Sequence, residues 1–99
     1  MAKLSKWGDW DVNLMRAIAE AESSCREDAV GDGALAYIDN NREYGYSVGA
    51  LQVRILPGRE ICENDTSSDI YYECAHNIWL LQGYSAWSVW TNGRYLEYL

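Results

Sequence analysis

Two glutamates two residues apart, Glu20 and Glu22, stand in the stretch AIAEAESSCREDAVGD at residues 17–32. A carboxyl group does acid chemistry near neutral pH only if its surroundings hold the proton on, and removal from water does so by penalising the charged form. Which glutamate is so placed follows from helical geometry. At about 100° per residue, Glu22 lies about 20° from Met15 and about 40° from Ile18, so it points with the apolar stripe. Glu20 lies about 140° and about 160° from the same residues and points away. Glu20 also follows Arg16 by four residues, the spacing of an ordinary exposed ion pair. Glu22 is therefore the candidate proton donor, and Glu20 belongs to a solvated helix face. The plain alternative for Glu22 is a helix-end carboxylate that turns toward water.

The elements that must position these groups are few. The chain has 99 residues, 48% of them hydrophobic, which suffices for one domain with a small core. Asp9 or Asp11 offers a cap for a helix over 10–25. Between Gly31 and Gly49 the glycines and the pair Asn40-Asn41 predict a loop or a small hairpin. ALQVRIL, residues 50–56, has no decided secondary structure and stops at the Pro57-Gly58 turn. From Ser68, DIYYECAHNIWLLQG repeats apolar residues at helical spacing and predicts a second helix ending at Gly83. The tail breaks at Asn92-Gly93 and closes in one apolar turn.

Charge narrows the partners. Fifteen acidic against eight basic side chains give a net charge of −7, with no Lys/Arg-rich run to neutralise phosphates or dock on an anionic leaflet. Nucleic acid and membrane surface are not expected as partners. MAKLSKWGDWD lacks the apolar core of a signal peptide, and no stretch approaches the length of a membrane span. The three cysteines, Cys25, Cys62 and Cys74, allow at most one bridge within the chain, and Cys62 to Cys74 across the loop ENDTSSDIYYE is the favoured pair. Three small buried thiols in a reducing compartment are the alternative. Cys74 with His76 lacks the spacer of a zinc site, so no metal and no cofactor is expected. Five Trp and eight Tyr with no Phe favour aromatics that join a flat apolar face to a hydrogen-bonding group, as sugar-binding surfaces do. Trp79, inside the second helix, is expected in the core.

Glu22-Ser23, then Ala29-Val30 after a short spacer, then Ser47-Val48-Gly49-Ala50-Leu51-Gln52, then AWSVWTNGRYLEYL form three ordered blocks over residues 15–99. They resemble the lysozyme-like superfamily, in particular lytic transglycosylases and goose-type lysozymes. Leu51 stands where the family's G-L-M-Q block has Met, and Ala86-Trp87-Ser88 where it has Ala-Tyr-Asn. The resemblance implies a mainly α, α+β lysozyme-like domain over 1–99, small and helical, with a short hairpin or loop region forming a substrate groove. It implies cleavage of the β-1,4 bond between N-acetylmuramic acid and N-acetylglucosamine in peptidoglycan, with Glu22 protonating the leaving oxygen. Ser47, Gly49 and Gln52 would form the groove floor, and Trp87 and Tyr95 would touch sugar. Goose-type lysozymes position a water with aspartates, whereas transglycosylases close a 1,6-anhydro ring with one glutamate. Asp32 and Asp39 are the candidates for a second catalytic carboxylate, against ordinary turn and cap roles. Hydrolysis is the favoured outcome, and a non-catalytic glycan-binding module is the rival class. The implied place of action is the cell wall, outside the cell or in the periplasm, by a monomer whose route there includes that of a phage lysin.

Overall fold

Asp11 sets the start of the first long helix: its carboxylate accepts the Leu14 amide at 3.1 Å. A computed structural model describes residues 2–99. In it α1 runs Val12–Ser23, two residues inside the expected range at each end. At the front, Trp10 leaves the helix and buries its ring, donating its indole N–H to the Leu4 carbonyl at 2.8 Å. That carbonyl belongs to a 3-10 turn at Ala2–Lys6. At the back, Ser24 and Cys25 adopt φ of 56° and 61°, and two successive left-handed residues end the helix.

The middle of the chain is built of short strands. β1 (Val30–Gly31), β4 (Ser47–Val48) and β5 (Val53–Arg54) form an antiparallel sheet in the order β1-β4-β5, with Gly31 opposite Ser47 and Val48 opposite Val53. β2 (Tyr37–Asp39) and β3 (Arg42–Tyr44) form a separate hairpin. Its two-residue turn is Asn40-Asn41, at φ 51° and 61°, the left-handed pair that a tight hairpin needs and that asparagine tolerates. Arg42 and Tyr46 both reach Glu63 at 2.7 Å, and Tyr44 reaches Glu60 at 2.7 Å, which pins the hairpin to the 3-10 turn Glu60–Glu63.

Ser68 caps α2 (Asp69–Gln82) by accepting the Tyr71 amide, and Gly83 ends it at φ 67°. A short α3 (Ser88–Thr91) follows. Gly93, at φ 82°, then turns the chain into a 3-10 helix at Arg94–Tyr98 that packs along α1. The core joins Met15 and Ile18 of α1 to Leu51, Val53 and Ile55 of the sheet region, Tyr71, Tyr72 and Ala75 of α2, and Trp87 and Val89. Trp79 packs against that core, as expected for it.

About half of the chain is helical, so the architecture is mixed α and β rather than mainly α. The reason lies between residues 32 and 52, where Asp32, Asn40, Asn41, Gly45, Gly49 and Gln52 all take positive φ; such a series interrupts any α-helix, and one 3-10 turn at Gly33–Leu35 and short strands between sharp turns are what remain. Cys62 and Cys74 are bridged, their Cα atoms 6.0 Å apart, tying Glu60–Glu63 to α2. Cys25 is the unbridged thiol. Among the described residues, no helix is long and apolar enough to cross a membrane.

Candidate active site

The last turn of α1 is keyed to the turn Gly49-Ala50-Leu51-Gln52 by the residue after Glu22. The Ser23 hydroxyl donates to the Ala50 carbonyl at 2.7 Å and accepts the Arg26 amide at 3.1 Å. The turn is held from every side. Gly49 donates its amide to the Ala29 carbonyl at 2.8 Å. The Tyr71 hydroxyl accepts the Leu51 amide at 3.0 Å and donates to the Val48 carbonyl at 2.8 Å. Trp87 donates its indole N–H to the Leu51 carbonyl at 2.8 Å. The Gln52 side-chain amide donates to the carbonyls of Gly49 at 3.0 Å and Ala29 at 3.3 Å.

Glycine is required at Gly49 for two reasons. Its φ is 81°, and a Cβ there would lie 2.3 Å from the Tyr71 ring. The backbone thus passes directly over a tyrosine that is itself fully buried. Burial also pushes the Tyr71 hydroxyl well above the usual tyrosine range, so it stays a neutral donor and acceptor.

Glu22 is partly buried near the end of α1, and its charge acts on Tyr71, the residue that bonds this turn. Among the described residues its carboxyl makes no hydrogen bond or ion pair. Burial pushes its pKa from the ordinary 4.5 up to about 7; the negative charge of Asp32 adds to the rise, and Arg94 opposes it. A half-buried carboxyl with no donor of its own, and with a like charge nearby, keeps its proton to neutral pH and can give it to an oxygen brought against it. Glu20, by contrast, is bound to Arg16 at 2.6 Å on the outer face.

The two aspartates part company. Asp32 follows β1 directly, in a left-handed conformation, and accepts the Ser47 hydroxyl at 2.5 Å across the β1–β4 pairing. It is the carboxylate whose field acts on Glu22. Asp39 ends β2 opposite Arg42, exposed at the hairpin tip, and the charges acting on Glu22 do not include it.

The groove residues divide in the same way. Of the three expected in the groove floor, Ser47 and Gly49 are buried and Gln52 turns its amide inward to the Gly49 carbonyl. Trp87, expected to touch sugar, is only 4% exposed; its indole holds Leu51 and its ring packs in the core. Tyr95 is half-buried and stacks on Trp90 with centroids 6.3 Å apart and planes 16° apart, and Trp90 stacks on Tyr84 in turn. His76 lies in another aromatic group, stacked on Trp7 at 4.7 Å with its Nε2 2.7 Å from Asp9, while Cys74 is held in the disulfide. Among the described residues, no three His, Cys, Asp or Glu side chains converge as a metal site.

Sequence reasoning passed over Tyr71 and Arg94. Tyr71 lies off the apolar spacing of Ile70, Cys74, Ile78 and Leu81, which predicts the wrong face of α2: the helix buries Tyr71, Tyr72, Ala75 and His76 and leaves Ile70 and Leu81 exposed. Arg94 carried no signal, because it comes to Glu22 only through the packing of the C-terminal 3-10 helix on α1. No protein-family model, no curated protein and no solved structure matches the chain.

Proposed function

We propose that the protein is a muramidase, cleaving the β-1,4 bond between N-acetylmuramic acid and N-acetylglucosamine in peptidoglycan. One observation carries the reading: Glu22, the residue that matches the family's acid, is a half-buried carboxyl that holds its proton to about pH 7. The Glu-Ser pair and the Gly49–Gln52 block, which resemble the family in sequence, are also joined in space by the Ser23 to Ala50 hydrogen bond.

In this reading Glu22 donates its proton to the glycosidic oxygen as the bond from that oxygen to C1 breaks, and positive charge develops on the sugar ring. Asp32 accepts a proton from a water molecule, whose oxygen forms the new bond to C1. The Gly49 to Gln52 turn forms the groove floor and Tyr95 offers a sugar-facing ring. Trp87 supports the floor through Leu51. The glycan strand is the partner, met in the cell wall, by a chain acting as a monomer.

A second reading, 1,6-anhydro ring formation with Glu22 alone, is favoured by one feature: the Asp32 carboxylate is already engaged by Ser47. Incubation with purified peptidoglycan and mass analysis of the released fragments tests both. Hydrolysis gives reducing-end products, and ring closure gives products lighter by one water. A bound but uncleaved wall would replace the enzyme reading with that of a glycan-binding module.

A further inference from the structure

The chain has eight Lys and Arg side chains. Five are in ion pairs with carboxylates: Lys3 with Glu27, Lys6 with Asp69, Arg16 with Glu20, Arg26 with Asp28 and Arg42 with Glu63. Among the described residues, three arginines have no such partner, Arg54, Arg59 and Arg94. Arg94 acts on Glu22. The other two line one and the same cavity, of about 250 Å³, between β5 and the end of α2. With 15 acidic side chains available and a net charge of −7, that is an uneven use of charge. No carboxylate lines the cavity; its remaining polar walls are the neutral amides of Gln52 and Gln82, and its apolar walls include Ile78 and Trp87.

Both guanidinium groups are anchored, each through one N–H. Arg54 donates Nε to the Gly45 carbonyl at 3.0 Å, and Arg59 donates Nη1 to the Arg54 carbonyl at 3.2 Å. A guanidinium has five N–H groups, so most remain for a ligand, in the planar fork that fits a carboxylate two bonds at a time. A second cavity of about 300 Å³ adjoins the first, shares Arg59 and Ile78 with it, and is walled mainly by Ile61, Leu81 and the Cys62–Cys74 bridge. The two together offer a cationic end and an apolar end. Gln52 lines the first cavity and closes the Gly49–Gln52 turn, so the trough adjoins that turn.

We propose that this trough binds a short acidic peptide, its carboxylate held between Arg54 and Arg59 and its small apolar side chains in the adjoining cavity. The assignment of that peptide to the acidic stem carried by the lactyl group of muramic acid rests on the muramidase reading above. The recognition would select peptide-bearing glycan over bare chitin-like sugar.

The test is a titration of the full chain, followed through arginine side-chain NMR signals, with N-acetyl-L-alanyl-D-glutamate and separately with its neutral diamide. The acid should bind roughly tenfold or more tightly than the diamide, because charge-assisted bonds to two guanidiniums are lost with the charge. The signals that move should be those of Arg54 and Arg59. Arg54→Gln or Arg59→Gln should each weaken the acid by a similar factor. Gln82→Glu, which breaks no anchoring hydrogen bond, should abolish binding by placing a carboxylate in the cavity. Equal binding of acid and diamide, shifts confined to Arg94, or unaltered affinity in Gln82→Glu would overturn the proposal. Peptide binding by a protein that leaves peptidoglycan intact would sink the muramidase reading and leave the trough standing, and cleavage without peptide binding would do the reverse.

Discussion

Replacing Glu22 with Gln should abolish cleavage and at the same time stabilise the protein above pH 7. The amide nearly matches the carboxyl in shape but has no proton to give the leaving oxygen. The stability gain follows from the raised pKa. Folded, Glu22 titrates near 7; unfolded, it returns to about 4.5. Between those values the native chain holds a proton that the unfolded chain has released, so stability falls as pH rises from 4.5 and stops falling above about 7. Fully dry, a rise of that size would correspond to ~3 kcal/mol. Glu22 still meets water, and screening reduces this to ~1–2 kcal/mol. The Gln variant has no such titration. Wild type and variant should therefore differ least near pH 4 and most near pH 8, where the variant should melt roughly 5–10 °C higher. Thermal melts followed by circular dichroism at both pH values read this directly. Equal melting at pH 8, or a variant less stable there, would refute the claim that Glu22 is held in an environment that rejects its charge. Glu20→Gln is the control: it removes an exposed pair of ~0.3–0.5 kcal/mol and should leave cleavage intact.

Three further outcomes are expected. Asp32→Asn should lower turnover by ~10²- to 10⁴-fold if Asp32 positions the water, and should move the alkaline limb of the pH–rate profile to lower pH, because the like charge that helps to raise Glu22 is gone; Asp39→Asn, at the hairpin tip, should do neither. Gly49→Ala sets a Cβ against the Tyr71 ring in a left-handed backbone and should cost ~2–4 kcal/mol in urea unfolding, with cleavage lost in proportion to the turn's disorder. Cys74→Ala opens the Cys62–Cys74 bridge and should lower stability by ~3 kcal/mol on the chain-entropy model, seen as a fall in melting temperature under non-reducing conditions.

What was legible in the sequence was what local chemistry decides. Asp11, Ser68 and Gly83 mark helix ends through bonds to residues three or four places away, and Asn40-Asn41 specifies a tight turn by its own backbone preference. The facing of Glu22 needed only the helical repeat. The three-stranded sheet was not legible, because strands two residues long show no alternation and are fixed by partners up to 18 residues off. The 3-10 turn at Ala2–Lys6 is held by distant groups, among them Glu27 through Lys3 and Trp10 through the Leu4 carbonyl. The resemblance of Ala86-Trp87-Ser88 to the family's block places Trp87 against sugar, yet its indole partner, Leu51, lies 36 positions away and draws the ring inward. The field of Asp32 at Glu22 arises only in the folded chain, and no spacing along the sequence encodes it.

The measurement that bears most directly on the central claim is the release of soluble muropeptides from purified peptidoglycan at pH 6, with wild type and Glu22→Gln side by side at equal concentration. Wild type should release them steadily and Glu22→Gln should stay at the level of buffer alone while remaining folded. Release by the variant at a rate comparable to wild type, or none by either protein, would contradict the assignment of Glu22 as the proton donor of a wall-cleaving enzyme.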